Sequence, residues 1–228
     1  MQDGYFPIGS MAWFFQWGVV LFLLGGFSLV GWLLTEKQRV KFSKGLGYGL
    51  FFLAIFKQFY TVTLGMWSLH SLPLELCNLM AFAAVVALLT RNQWFYELSV
   101  FLGFIAPLQA FVSPAILYGT DSIFFLIFYL EHFLTIFTPI YLTFFLQMQP
   151  RSFSWFKVPM MFSLVIFPLM GLNYLWGTNF MFLAARPAVD HPFNFGDWPL
   201  YIFIWCGALL ASSFVISRCL IILSDKSK

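Results

Sequence analysis

Charged side chains are scarce in this chain, and their scarcity excludes an ordinary soluble domain. Only 9% of the 228 residues are Asp, Glu, Lys or Arg, whereas soluble domains carry about 25%. Hydrophobic residues make up 61% of the chain, and phenylalanine alone occurs 32 times. The composition predicts one integral membrane domain over residues 1–228, with almost nothing left for a soluble domain.

Cysteine is also rare, and its placement excludes two further classes. Cys77, Cys206 and Cys219 all fall within apolar segments, so they resemble neither a disulfide framework nor a metal motif. We therefore expect no metal and no cofactor. A basic patch with interleaved aromatic residues is missing too, which argues against nucleic acid as a partner.

The first apolar run, residues 11–34, lacks the features of a signal peptide. It is too long for a signal-peptide core, no basic residue precedes it, and no small-x-small cleavage site follows it. About 20 apolar residues span a bilayer, so we expect a transmembrane helix here. Six more apolar segments predict an all-α bundle of seven transmembrane helices: 11–34, 46–69, 72–90, 94–111, 122–147, 156–176 and 198–223.

The basic residues predict the orientation of this bundle, because Lys and Arg concentrate on the cytoplasmic side of membrane proteins. One side of the seven-helix arrangement holds only Arg186, and Lys57 lies inside the second helix. We therefore expect the N-terminus outside and the C-terminus in the cytoplasm. The other side holds all the remaining basic residues: Lys37, Arg39, Lys41, Lys44, Arg91, Arg151, Lys157, Arg218, Lys226 and Lys228.

Polar residues inside the predicted helices share the outer half of the membrane. At a rise of about 1.5 Å per residue, Lys57, Glu131 and His132 fall near the midplane and the rest lie above them. Such groups are costly in hydrocarbon and usually functional, so we expect a polar cavity open to the outside. The outer group comprises Glu75, Cys77, Asn78, Gln109, Asn173 and Tyr174.

Each of these residues also has a purely structural interpretation. Lys57 and Glu131 can form a buried ion pair that fixes helix packing, and Cys77 can be a small core residue. Gln109 and Asn173 can serve as hydrogen-bonding contacts between helices. Three prolines within helices each leave a carbonyl group without its usual donor, which neighbours or cavity water must satisfy: Pro107, Pro139 and Pro168.

Four stretches carry a resemblance to the YwaF family of bacterial integral membrane proteins. They are LPLELCNL at 72–79, LGFIAPLQAFVSP at 102–114, EHFLTIFTPIY at 131–141 and GLNYLWGTNFMFLAARP at 171–187. The resemblance implies a seven-helix fold and a bacterial cytoplasmic (inner) membrane location. Where this chain has Glu75, the family pattern usually has His. That family is in turn distantly similar to the transmembrane protein 164 family, which implies a lipid acyltransferase with Cys77 at the nucleophile position.

Three hypotheses for function follow. In the first, the protein transfers or hydrolyses lipid acyl groups. Cys77 is then the nucleophile and His132 the general base, and Glu75, Asn78, Gln109, Asn173 and Tyr174 bind a membrane lipid. Straight helices place His132 about five residues, roughly 7 Å, deeper than Cys77. Alternatively, the protein binds or transports a small or lipidic ligand, or it is a non-catalytic subunit of a membrane complex.

Overall fold

A computed structural model describes residues 4–5, 8–112, 115–116, 121–187 and 195–225. The predicted basic tail with Lys226 and Lys228 lies outside the described residues. Strands β1 (Gly4–Tyr5) and β2 (Ala115–Ile116) form one short antiparallel pair. The described part contains nine α-helices: α1 (Met11–Leu33), α2 (Glu36–Thr63), α3 (Leu76–Thr90), α4 (Gln93–Phe101), α5 (Ile105–Val112), α6 (Ser122–Phe144), α7 (Ser154–Ser163), α8 (Ile166–Trp176) and α9 (Leu200–Asp225).

Two of the predicted helices, 94–111 and 156–176, are each divided in two. The breaks lie at residues 102–104, between α4 and α5, and at residues 164–165, between α7 and α8. In both cases a proline, Pro107 or Pro168, is the third residue of the second helix. The carbonyl groups that these prolines cannot bond belong to Gly103 and Leu164, inside the two breaks. The proline rule thus explains why both helices are interrupted.

The predicted helices end at residue 34 and begin again at residue 46, but the residues between them are not a loop, because α2 begins directly after α1. The Thr35 N–H donates to Gln38 Oε1 at 2.9 Å and so supports the first turn. Arg39 Nε donates to the Gly31 carbonyl at 2.9 Å, which satisfies a group at the end of α1. Lys and Arg are good helix formers, so a solvated, basic first half of a helix is stable here.

Several helices are long and apolar enough to cross a membrane. Within the described residues, five spans meet this criterion: Met11–Leu33, Gln93–Val112, Ser122–Phe144, Ser154–Trp176 and Leu200–Leu223. The apolar α3 has only 15 residues. The long α2 carries Lys57 and a charged first half. The chain is therefore a helical protein with several apolar spans.

The centre of the bundle is α6, which packs against α2, α3, α4 and α5. Its buried face carries a row of aromatic rings in which Phe133 and Phe137 stack at 5.8 Å and Tyr141 follows one turn later. Phe27 of α1 packs edge-on against both phenylalanines. These packed aromatic side chains position α6 in the bundle, and they thereby position the polar side chains on its other face.

Three helix junctions meet at one end of the bundle, which we call the basic end. Tyr141 Oη donates to the Arg39 carbonyl at 2.9 Å, and Gln93 Nε2 donates to the Gln149 carbonyl at 2.8 Å. The first bond connects the α1–α2 junction to α6, and the second connects the α3–α4 junction to the α6–α7 junction. The described basic residues at or near these junctions are Lys37, Arg39, Lys41, Lys44, Arg91, Arg151 and Lys157.

Candidate functional site

Helix α3 begins later than predicted, within the polar sequence ELCN at residues 75–78. The helix begins at Leu76 rather than at residue 72, because Pro73 follows a short 3-10 turn, Leu69–Ser71, and cannot continue it. Glu75 precedes the helix with an extended backbone (φ −68°, ψ 149°). Cys77 and Asn78 consequently lie in the first turn of α3, where backbone N–H groups have no partner within the helix.

One ammonium group connects three helices next to this turn. Lys57 Nζ of α2 lies 2.7 Å from Asn78 Oδ1 of α3, and 2.8 and 2.6 Å from Glu131 Oε1 and Oε2 of α6. The Glu131 side chain is 6% exposed and that of Lys57 19%. An ammonium has three donors, and these three oxygens match them. The ion pair is thus saturated and enclosed.

The same contact fixes the orientation of the Asn78 amide. Its Oδ1 atom accepts from Lys57, so the Nδ2 group is the end that faces away from the ammonium. Nδ2 carries two N–H donors. Asn78 and the neighbouring Cys77 are both half-buried. A fixed N–H donor therefore lies on the residue next to the thiol.

His132 lies beside Glu131 on α6 but has different neighbours. Its ring packs 4.2 Å from the Phe128 ring and 6.1 Å from the Phe111 ring of α5. The Nδ1 atom lies 2.7 Å from the Phe128 carbonyl. A carbonyl oxygen can only accept, so Nδ1 carries the hydrogen. In the neutral ring Nε2 is then the acceptor and can take a proton.

Cys77 and His132 have one neighbour in common. Cys77 is next in sequence to Asn78, and His132 is next to Glu131; the side chains of Asn78 and Glu131 both contact Lys57 Nζ. Among the described residues, no hydrogen bond joins the thiol to the imidazole. The depth difference of roughly 7 Å expected between Cys77 and His132 stays a prediction.

Glu75 lies near this cluster, but its carboxylate binds the loop between α8 and α9. Its Oε2 atom accepts a hydrogen bond from the Met181 N–H at 2.8 Å. Met181 and Phe182 both have positive φ, 53° and 54°, which is unfavourable for residues with side chains. The carboxylate at the start of α3 thus stabilises a strained segment between α8 and α9.

The other predicted binding residues lie apart from the cluster. Asn173 is buried, and its amide donates to the Phe180 carbonyl at 3.0 Å and accepts from Thr178 and from the Phe180 N–H. It closes the loop after α8. Tyr174 is 89% exposed and Gln109 is exposed on α5. The structure brings together Lys57, Glu131 and Asn78 with Cys77 and His132 nearby, and leaves these three elsewhere.

A second ion pair at the basic end was not expected from the sequence as a site. Glu97 of α4 is fully buried, and Arg151 donates to it through Nε at 2.9 Å, Nη2 at 2.7 Å and its backbone N–H at 2.7 Å. Gln93 Nε2 adds a fourth bond at 2.9 Å. The hydrogen bonds that the Arg151 side chain donates to Glu97 raise the pKa of Arg151. Glu97 is the residue from which this pair could have been predicted, because a buried carboxylate requires a cationic partner.

No three His, Cys, Asp or Glu side chains within the described residues come together as metal ligands would. Together, the apolar spans and the enclosed polar cluster define the class: a multi-pass helical membrane protein. The chain belongs to the TMEM164 family, whose model matches residues 7–217. This family is the more distant of the two resemblances described above, and the YwaF resemblance stays a prediction. No curated protein and no solved structure matches the chain.

Proposed function

We propose that the protein is a thiol-dependent lipid acyltransferase, with Cys77 as the nucleophile and His132 as the general base. The observation that carries the proposal is the tautomer of His132. Its Nδ1 atom is engaged by the Phe128 carbonyl, so Nε2 is the atom left to accept a proton. Cys77, half-buried in the first turn of α3, is the nearby group with a proton to give.

The proposed reaction has two balanced steps. In the first, Cys77 Sγ attacks the carbonyl carbon of a phospholipid ester while its proton passes to His132 Nε2. The ester C–O bond then breaks, and His132 returns the proton to the departing alkoxide. In the second step, the hydroxyl of an acceptor lipid attacks the thioester, its proton again passing through His132. The thiol leaves as the acyl group is transferred. Water as acceptor gives hydrolysis instead.

Asn78 and the ion pair have supporting roles in this proposal. Asn78 Nδ2 is the candidate donor to the oxyanion, because Lys57 holds the other end of the amide. Lys57 and Glu131 act as positioning residues. A bound lipid is also proposed to contact the other predicted binding residues, Glu75, Gln109, Asn173 and Tyr174. The structure gives Glu75 and Asn173 protein partners, so these two side chains would have to move to reach the lipid.

The wider setting is part of the same proposal. Read as continuous rods, α4–α5 and α7–α8 bring the helical passes to seven. The grouping of three helix junctions at the basic end supports this count, and the charge bias supports an outside N-terminus and a cytoplasmic C-terminus. We place the protein in a bacterial cytoplasmic membrane, following the YwaF resemblance, with membrane lipids as its partners.

Turnover of labelled lipid by the purified protein tests the proposal. The protein is reconstituted in nanodiscs with a phospholipid labelled in one acyl chain and a lysophospholipid acceptor. Transfer of label should be lost in Cys77→Ser and in His132→Ala. The matched controls are Cys206→Ser, a half-buried cysteine of α9, and His70→Ala, an exposed histidine; both should transfer normally. Full transfer by Cys77→Ser, or none by the parent protein, would contradict the proposal.

A further inference from the structure

A cavity of about 150 Å³ opens at the basic end and shares no lining residue with the Lys57 cluster. It lies between the start of α4 and the start of α7. Trp94 and Glu97 line it from α4, Arg151 and Ser152 from the preceding loop, and Lys157 and Met161 from α7. The cavity therefore combines two cationic side chains with one carboxylate.

The carboxylate in the cavity wall is already neutralised. Glu97 Oε1 and Oε2 accept four hydrogen bonds, three from Arg151 and one from Gln93. An arginine side chain has five N–H donors, and only Nε and one Nη2 hydrogen are directed to Glu97. The Arg151 side chain is 60% exposed. Its remaining donors and the Lys157 ammonium are left for an anion.

The surroundings of the cavity are those of a membrane–water boundary. Trp94 is of the residue type that anchors helices at this depth. The next residues on the α7 side are apolar and exposed, namely Phe153 at 67%, Phe156 at 46% and Met161 at 54%. An anion in the cavity would therefore have hydrocarbon beside it, as the head group of a lipid does.

We infer that this cavity binds a phosphate group, and specifically the phosphate of a membrane phospholipid whose acyl chains lie along Phe156 and Met161. Arginine and lysine side chains together are a common phosphate-binding set. The Glu97 contact holds the guanidinium in one orientation, so Arg151 is preorganised for the ligand. This inference stands independently of the proposed acyl transfer, which uses residues of a different region.

Native mass spectrometry of the delipidated, full-length protein in detergent tests the inference. The probes are dioleoyl phosphatidic acid, inorganic phosphate and uncharged dioleoylglycerol. Phosphatidic acid should bind as a discrete adduct, and dioleoylglycerol should not. The exposed Lys157 can be changed without disturbing the fold, so Lys157→Gln should weaken phosphatidic acid binding about tenfold, the loss expected for one charge-assisted hydrogen bond.

Two controls make the result decisive. Lys41→Gln removes an exposed lysine of the same end but outside the cavity, and it should bind phosphatidic acid like the parent. Lys157→Arg should retain binding. Equal losses in Lys157→Gln and Lys41→Gln would mean only general attraction to anionic lipid and would overturn the site. Inorganic phosphate that displaces phosphatidic acid at similar concentration would overturn the lipid assignment.

Discussion

The two ion pairs of this bundle are built from the same kinds of groups but in opposite ways. Lys57–Glu131 is enclosed on both sides, with side-chain exposures of 19% and 6%, whereas Arg151 is 60% exposed above a Glu97 that is fully buried. Lys57 has all its donors engaged, while Arg151 has donors to spare. The interior pair is therefore a closed structural unit, and the pair at the basic end can still bind something else.

The comparison also indicates how the surroundings of an ion pair change the free-energy cost of removing one of its charges. Removing one partner of an enclosed pair leaves an uncompensated charge in a medium of low dielectric, whereas Glu97 would keep two hydrogen-bond donors if the Arg151 side chain were removed. The two pairs should consequently respond differently to the same type of substitution. The predictions below test this difference, beginning with the largest effect.

The largest loss is expected for Lys57→Met, which leaves Glu131 unpaired. Loss of one partner of a buried pair costs about 3–5 kcal/mol, and replacing both by apolar residues often costs little. The double variant Lys57→Met with Glu131→Leu should therefore be more stable than either single variant. Thermal unfolding in detergent gives the measurement. Single variants as stable as the parent would show that the pair does not hold the helices together.

A smaller loss is expected for Arg151→Met at the basic end. Glu97 would keep the hydrogen bonds from Gln93 and from the backbone N–H of residue 151. The cost should then fall below that of Lys57→Met, at about 2–3 kcal/mol. The same unfolding assay compares the two variants directly. If Arg151→Met proved the more damaging change, the burial of Glu97 rather than the enclosure of both partners would govern stability.

Asn78→Leu should cost about 1–2 kcal/mol, because Lys57 loses one hydrogen-bond acceptor but keeps Glu131. Asn78→Asp provides a useful second variant, since it retains an oxygen acceptor for Lys57 but loses the Nδ2 donor. It should keep its stability better than Asn78→Leu and yet lose acyl transfer. Normal transfer by Asn78→Asp would exclude the proposed oxyanion role of the amide.

Added salt should produce the smallest change in stability, and it should affect the Arg151–Glu97 pair but not the Lys57–Glu131 pair. Raising salt from 0.1 to 1 M shortens the Debye length from about 10 to about 3 Å, which screens exposed charges much more than enclosed ones. The stability difference between the parent and Glu97→Gln should shrink by a few tenths of a kcal/mol. The difference between the parent and Lys57→Met should not change. Equal salt responses would contradict the contrast in exposure.

Depth along the helices could be predicted from the sequence, but the direction that each side chain faces could not. Counting residues placed Lys57 and Glu131 at a common level, and the structure shows them in contact. The same counting placed Gln109 and Tyr174 above them in one shared polar region, yet both are exposed. Rotation about a helix axis depends on which neighbour packs against each face, and apolar residues surround these helices so evenly that no sequence pattern identifies that face.

Prolines show the same limit. Pro107 and Pro168 follow helix breaks, as the loss of a backbone hydrogen bond predicts, but Pro139 lies within a continuous α6. Helix α6 is packed on several sides, and the aromatic rings of Phe137 and Tyr141 flank this proline in sequence. Surrounding contacts can keep a helix continuous despite a missing bond. The arrangement of these contacts depends on the tertiary structure and could not be deduced from the position of the proline.

The meeting of three helices at Lys57 Nζ has a consequence for how uniquely this bundle assembles. Contacts between Phe and Leu side chains in lipid are adaptable, so neighbouring helices could slide by a turn or rotate with little change in free energy. A saturated ammonium tolerates no such slip, because moving α2, α3 or α6 by one turn of about 5.4 Å would separate it from its oxygens. The Lys57 ammonium thereby fixes the relative positions of α2, α3 and α6, which their apolar surfaces alone would not determine.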